Sequence, residues 1–71
     1  MPLYEVLLEA VNGIVARYEI CTPDSDAVDL ALLDLRKRLP EQTIHVGGYS
    51  QIGEGTDSSL SVEILRGVGQ W

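Results

Sequence analysis

The sequence contains little of what stabilises or activates many small proteins. Its 71 residues include one cysteine and one histidine. Cys21 therefore has no internal disulfide partner, and Cys21 with His45 falls short of the roughly four ligands of a structural zinc site. The loop at residues 53–59 lacks the lysine of a phosphate-binding GxxxxGK[ST] motif. We therefore expect no metal and no cofactor. A chain this small relies on a single core or on a second subunit.

Long apolar runs and a basic leader are also missing. No stretch approaches the ~18 apolar residues of a membrane span. The first five residues, MPLYE, carry none of the positive charge that begins a signal peptide. We expect a single cytoplasmic domain over residues 1–71, with no membrane partner.

Basic residues are scarce as well. Five Lys and Arg stand against eleven Asp and Glu, which gives a net charge of −6. This charge repels polyanions, so we expect no direct nucleic-acid binding. It favours a protein partner with a basic surface, including the Lys- and Arg-lined groove of a nucleic-acid-binding protein. Plain solubility is the alternative explanation.

What the sequence does contain begins with a hairpin pattern. Residues 3–11 (LYEVLLEAV) and 14–21 (IVARYEIC) are rich in β-branched and aromatic residues, and only Asn12-Gly13 separates them. The two-residue period of a strand predicts one inner face, made of Tyr4, Val6, Leu8, Ala10, Ile14, Ala16, Tyr18 and Ile20. The other face mixes charged and apolar residues, namely Leu3, Glu5, Leu7, Glu9, Val11, Val15, Arg17, Glu19 and Cys21.

A helix is predicted over roughly residues 25–39, after the Thr22-Pro23-Asp24-Ser25 break and before Pro40. Asp34 is positioned to pair with Arg38 one turn later. The stripe that faces the sheet consists of Ala27, Val28, Ala31, Leu32, Leu35 and Leu39. Leu30 and Leu33 point nearly the opposite way, so they are candidate contacts for a partner.

Residues 42–52 (QTIHVGGYSQI) and 58–66 (SSLSVEILR) are predicted as a second strand pair, joined by the polar loop 53–57. Gly47-Gly48 predicts a bulge or bend. The inward positions are Ile44, Val46, Leu60, Val62 and Ile64. The predicted fold class is α+β, in the order ββαββ, with an antiparallel-rich four-stranded sheet and one helix on one face. The strand order stays open.

The outer faces supply the candidate partner-binding residues, which are Glu5, Leu7, Glu9, Leu30, Leu33, Glu63 and Leu65. The four glutamates Glu5, Glu9, Glu19 and Glu63 are expected to line one sheet surface, as an acidic docking patch or a solvated face. Leu7, Val11, Val15, Leu65, Leu30 and Leu33 exceed the apolar surface that a monomer usually exposes. This excess favours a protein partner or a homodimer.

Three further residues have two interpretations each. His45 titrates near neutrality and is expected on the outer sheet face near Glu5, Glu9 or Glu63, either as the centre of a small enzyme or as a solvated histidine. Cys21 precedes the helix and is expected to be an inert buried thiol rather than a reactive one. Trp71 packs either on its own core or on a partner.

The order of elements resembles that of several small phage-encoded anti-CRISPR proteins. The resemblance is carried by the LYEVLLEAV-NG-IVARYEIC hairpin, the passage CTPDSDAVDLALLDLRKRL into a helix and the two closing strands. It implies a non-enzymatic inhibitor that blocks the basic nucleic-acid groove of a CRISPR or other defence complex. We therefore expect a non-catalytic protein-binding module. The alternatives are a homo-oligomeric accessory subunit of a larger bacterial assembly and a small enzyme centred on His45.

Overall fold

The computed structural model describes residues 1–11, 13–23 and 26–65. Its elements are, in chain order, β1 (Pro2–Ala10), β2 (Gly13–Cys21), α1 (Ala27–Arg38), β3 (His45–Glu54) and β4 (Ser59–Ile64). The strands form a single antiparallel sheet, and α1 packs on one of its faces. This confirms the predicted α+β class and the ββαββ order. Within the described ranges, no helix has the length and apolar character needed to cross a membrane.

β1 and β2 form the predicted hairpin, in which Leu3 pairs with Cys21 and Leu8 with Ala16. The chain enters β2 through Gly13, whose φ is 109°. Residues with a Cβ rarely adopt this conformation, so the turn requires a glycine at this position. Asn12 lies outside the described residues.

A β-bulge lies near the turn of this hairpin. Leu8 pairs with Ala16 and Glu9 with Ile14, so Val15 is the extra residue. Val15 consequently turns into the core and is 1% exposed, whereas Ile14 is 37% exposed. The prediction of Ile14 inside and Val15 outside was therefore wrong, because the strict two-residue alternation does not continue across a bulge.

β3 and β4 do not pair with each other, so the predicted second strand pair was wrong. The strand order is β3-β1-β2-β4, which places these two strands on opposite edges of the sheet. The helix returns the chain to the start of β3, which runs antiparallel to β1. Residues 55–58 then connect β3 to β4 past the beginning of β1. There Gly55 N–H donates to the Met1 carbonyl, and the Met1 amine donates to the Gly55 carbonyl, each at 2.8 Å.

The core lies between α1 and the sheet. Ala27, Ala31 and Leu35 are fully buried, and the predicted helix stripe is completed by the partly buried Val28, Leu32 and Leu39. The buried sheet residues are Val6, Leu8, Ala10, Val15, Ala16, Tyr18 and Ile20, joined by Ile44 before β3. Because α1 packs mainly over β1, β2 and β3, the inner side of β4 is only partly covered.

A polar contact fixes α1 above β2. The hydroxyl of the buried Tyr18 donates to Asp34 Oδ2 at 2.5 Å, and Arg38 Nε donates to the same oxygen at 2.8 Å. The predicted Asp34–Arg38 pair is thus confirmed. Burial and the hydrogen bond to Asp34 both raise the pKa of Tyr18. In return, the hydrogen bonds from Tyr18 and Arg38 lower the pKa of Asp34.

Candidate functional site

The outer face of the sheet, opposite α1, carries the predicted acidic residues. Strand pairing places Glu5 opposite Glu19 and Arg17 opposite Glu63. Glu9, four residues beyond Glu5 on β1, pairs with Ile14 on the same side. We call Glu5, Glu9, Glu19 and Glu63 with Arg17 the acidic face. No helix or strand of the described residues packs over it.

Arg17 lies at the centre of the acidic face. Its Nε contacts Glu5 Oε2 at 2.7 Å, a second nitrogen contacts Glu19, and Nη1 lies 3.9 Å from Glu63 Oε1. Hydrogen bonds to Glu5 and Glu19 raise the pKa of Arg17, so it stays protonated. One guanidinium thus holds three carboxylates side by side, which reduces the like-charge repulsion between them.

The acidic face keeps most of its negative charge despite Arg17. Four carboxylates and one guanidinium leave a net formal charge of −3, half of the −6 of the whole chain. Sequence reasoning placed Arg17 on this face but missed its central role. That role depends on the register, which sets Glu63 directly across from Arg17 on β4 and Glu5 across from Glu19 on β1.

His45 also lies on this side of the sheet, as predicted. Its Nε2 is 2.9 Å from Glu9 Oε1, and the histidine side chain is 59% exposed. A Cβ on Gly47 would lie 2.7 Å from Glu9 Oε2, so the glycine leaves room for this pair. The pair sits on an open surface, and His45 lines neither the cavity beside Leu30 and Leu60 nor the one at residues 38–42. No group of three or more potential metal ligands occurs in the described ranges.

Two of the predicted apolar contacts on the outer side are partly sheltered. Leu7 is half-buried, and its Cδ1 lies 3.2 Å from the Cβ position of Gly48, so it leans over the neighbouring strand. Leu65 follows β4, is half-buried, and donates its N–H to the Val15 carbonyl at 2.9 Å. Val15 is in the core, and Ile14, which is 37% exposed, takes its place on this side.

On the helix side of the sheet, α1 and β4 both carry exposed apolar residues. Leu30 is 39% exposed, Leu33 56%, and Leu60 and Ile64 42% each. We call these four residues the α1–β4 strip. Leu30 and Leu60 also line a cavity of about 330 Å³ that reaches Ile20 and Cys21. Leu30 and Leu33 are exposed as predicted. Leu60 and Ile64 lie on the predicted face of the sheet, but α1 covers them only in part.

Cys21 is free and buried, in agreement with the inert interpretation of this residue. Its thiol lies 3.7 Å from the Met1 carbonyl. A Cβ on Gly55 would come within 2.9 Å of its sulfur, so the connection to β4 closes over the thiol. Trp71 lies outside the described residues, and both interpretations of it remain.

No protein-family model, no curated protein and no solved structure matches this chain.

Proposed function

We propose that the protein is a small non-catalytic binding module that docks its acidic face onto a basic protein surface. The observation that carries this proposal is the position of Glu5, Glu19 and Glu63 around Arg17, with Glu9 on the same side of the sheet. No described helix or strand covers this side. The partner is a protein with clustered Lys and Arg side chains.

The shape of the acidic face supports a macromolecular partner. Small-molecule and catalytic sites are concave, whereas this face is the exposed side of a sheet. His45 and Glu9 lie on the same open side, without the enclosed constellation of groups that acid–base catalysis requires. A broad charged surface instead speeds and orients association with a partner of opposite charge.

The resemblance to anti-CRISPR proteins selects the first partner to test. The nucleic-acid groove of a CRISPR surveillance complex, or of another defence complex, is lined by basic residues that bind phosphates. A compact domain with a net charge of −6 matches the sign of such a groove. In this form of the proposal the protein inhibits by occupying the groove before nucleic acid does.

Charge reversal on and off the acidic face tests the proposal. The face variant combines Glu9→Lys and Glu63→Lys, and the control combines Glu41→Lys and Glu54→Lys, which are exposed residues outside the face. The two variants have the same net charge. We expect the control to bind a purified surveillance complex and to compete with its target DNA as well as the unaltered protein does. The face variant should lose at least tenfold in affinity, and binding should weaken with salt.

The control separates local recognition from a general charge effect. Equal weakening by both variants would show that overall charge, rather than the acidic face, drives association. Binding that is insensitive both to the face variant and to a rise in ionic strength would contradict the proposal.

The exposed α1–β4 strip favours a second candidate function, a homo-oligomeric accessory subunit. Leu30, Leu33, Leu60 and Ile64 belong to one side of the molecule, and a second subunit would remove them from water. The two functions use opposite faces of the sheet, so they are compatible.

A further inference from the structure

β4 is an edge strand with a regular backbone. It pairs with β2 from Cys21↔Ser59 to Ala16↔Ile64 without a register shift. Within the described residues, no strand lies on its other side. Its sequence, SLSVEI, contains neither proline nor lysine and only one charged residue, Glu63. Edge strands usually carry such residues or a bulge, because a plain edge pairs readily with another strand.

The hydrogen bonds show which residues of β4 direct their main chain to the free edge. Leu65 N–H donates to the Val15 carbonyl, which orients this position toward β2. Main-chain groups alternate in direction along an antiparallel strand, so Glu63 and Ser61 also face β2. Leu60, Val62 and Ile64 therefore direct their N–H and C=O groups away from β2.

The same three residues have their side chains on the helix side of the sheet. Leu60 pairs with Ile20 and Ile64 with Ala16, both of which belong to the core. Val62 is partly buried against that core, while Leu60 and Ile64 are each 42% exposed. One edge of the sheet thus offers directional hydrogen-bonding groups and apolar side chains together.

We propose that β4 is a self-association surface, which pairs antiparallel with β4 of a second copy of this chain about a two-fold axis at Val62. In this register Leu60 lies opposite Ile64 of the partner subunit, and each of Leu60, Val62 and Ile64 exchanges main-chain hydrogen bonds with its partner. The two sheets join into one, and the two α1–β4 strips become continuous across the axis.

The charges on β4 favour a second copy as the occupant. A two-fold at Val62 sets Glu63 opposite Ser61 of the partner subunit, so the only charged residue of the strand does not meet its own copy. The apolar residues meet apolar residues, because Leu60 and Ile64 exchange places across the axis. The strand is therefore complementary to itself in one register, which is what a symmetric interface requires.

A pair of six-residue strands forms a small interface, so association should depend on concentration. Interfaces below about 1,200 Å² are usually weak or transient, and we expect a dissociation constant of roughly 10–100 μM. Each copy carries a charge of −6, which opposes dimerisation. Salt screens this repulsion, so the dimer should strengthen with salt. Docking on a basic partner has the opposite salt dependence.

Sedimentation measures the mass of the full chain in solution and tests the proposal. Protein concentrations from about 5 μM to 1 mM span the expected dissociation constant. We compare Ile64→Glu with the control Ile52→Glu, which makes the same change at a residue with 45% exposure on the opposite edge. The unaltered protein and Ile52→Glu should double in mass as concentration rises, and Ile64→Glu should stay monomeric. A monomeric unaltered protein, or equal dimerisation of both variants, would overturn the proposal.

A cysteine cross-link tests the register itself. Residues paired across a two-fold lie about 5.5 Å apart at Cα, within the range of a disulfide. With Cys21→Ala in every variant and oxidised glutathione added as the oxidant, Val62→Cys should form a covalent dimer rapidly. Ser61→Cys, which lies two residues out of register with its own copy, should not. Equal cross-linking of the two, or faster linkage of Ser61→Cys, contradicts the two-fold at Val62. Loss of the dimer would leave docking by the acidic face unaffected.

Discussion

The two edges of this sheet differ in how regular they are. β3 pairs with β1 through two register shifts, one opposite Leu3 and Tyr4 and one opposite Leu7 and Leu8. β4 pairs with β2 without any. Bulges twist an edge and disturb its row of main-chain groups, so β3 is a poor template for another strand. The comparison indicates that, among the residues the structure describes, this fold protects one edge and leaves the other open.

Sequence composition and the position of α1 both contribute to the difference between the β3 edge and the β4 edge. β3 contains Gly47, Gly48 and Gly53, and both bulges lie beside these glycines. β4 contains none. In addition, α1 packs against β3 but contributes little to covering β4. The β4 edge thus combines a regular backbone with exposed Leu60 and Ile64, whereas β3 exposes apolar side chains beside an irregular backbone.

The largest expected effect on stability comes from proline substitutions in β4. They show which main-chain N–H groups of β4 bond to β2 and which face the free edge. Ser61→Pro removes an N–H that faces β2, and we expect a loss of about 3 kcal/mol in the free energy of unfolding. Leu60→Pro removes an N–H that faces the free edge and should cost only about 1 kcal/mol. Urea unfolding at low protein concentration measures both. Equal losses would show that the assigned direction of the main-chain groups is wrong.

A smaller effect on stability is expected at the contact between Tyr18 and Asp34, which fixes α1 above β2. Tyr18→Phe leaves the ring in the core but removes the hydroxyl that donates to Asp34. A hydrogen bond to a charged acceptor contributes roughly 2 kcal/mol, so the free energy of unfolding should fall by about that amount. A change close to zero would mean that packing alone holds the helix in place.

The same contact predicts a pH dependence. Tyr18 and Arg38 lower the pKa of Asp34 below its ordinary value of 3.8. Asp34 therefore stabilises the folded state above that pH, and this stabilisation is lost as the pH falls through the lowered pKa. Between about pH 5 and pH 2, the unaltered protein should lose more stability than Tyr18→Phe does. Parallel pH profiles of the two proteins would contradict this assignment.

The smallest expected effect concerns the connection between the two edges. A Cβ on Gly55 would come within 2.9 Å of the buried Cys21 sulfur, so Gly55→Ala should lower the free energy of unfolding by about 1 kcal/mol through overpacking. Cys21→Ala makes room for the methyl group. In that background Gly55→Ala should be nearly neutral, and additive losses in the double variant would refute close contact between the connection and Cys21.

Local patterns in the sequence were enough to predict the elements and one surface. Gly13 with Asn12 indicates the first hairpin, Pro40 the end of the helix and Gly47-Gly48 a bulge in the third strand. Alternation put the four glutamates on one face, where the structure also has them. These features depend on near neighbours along the chain, which is why the sequence is sufficient for them.

The errors arose where distant segments decide the outcome. Val15 is buried because β2 forms a bulge where it pairs with β1. No residue in the second strand predicts that bulge. β3 and β4 were expected to pair because a short polar loop joins them, yet each pairs with a strand of the first hairpin. Leu60 and Ile64 were placed on the correct face, but their exposure depends on where α1 lies.

By itself, the sequence determined the charge of −6, the order of the elements and the amphipathic faces of the hairpin and the helix. These follow from composition and from the periods of 2 and 3.6 residues, which are properties of the local backbone. Only the tertiary structure decided the order β3-β1-β2-β4, the clustering of carboxylates around Arg17 and the open edge at β4. The physical reason is that segments far apart in the chain compete for the same strand partners and for the same face of the sheet. A short local pattern does not encode the outcome of that competition.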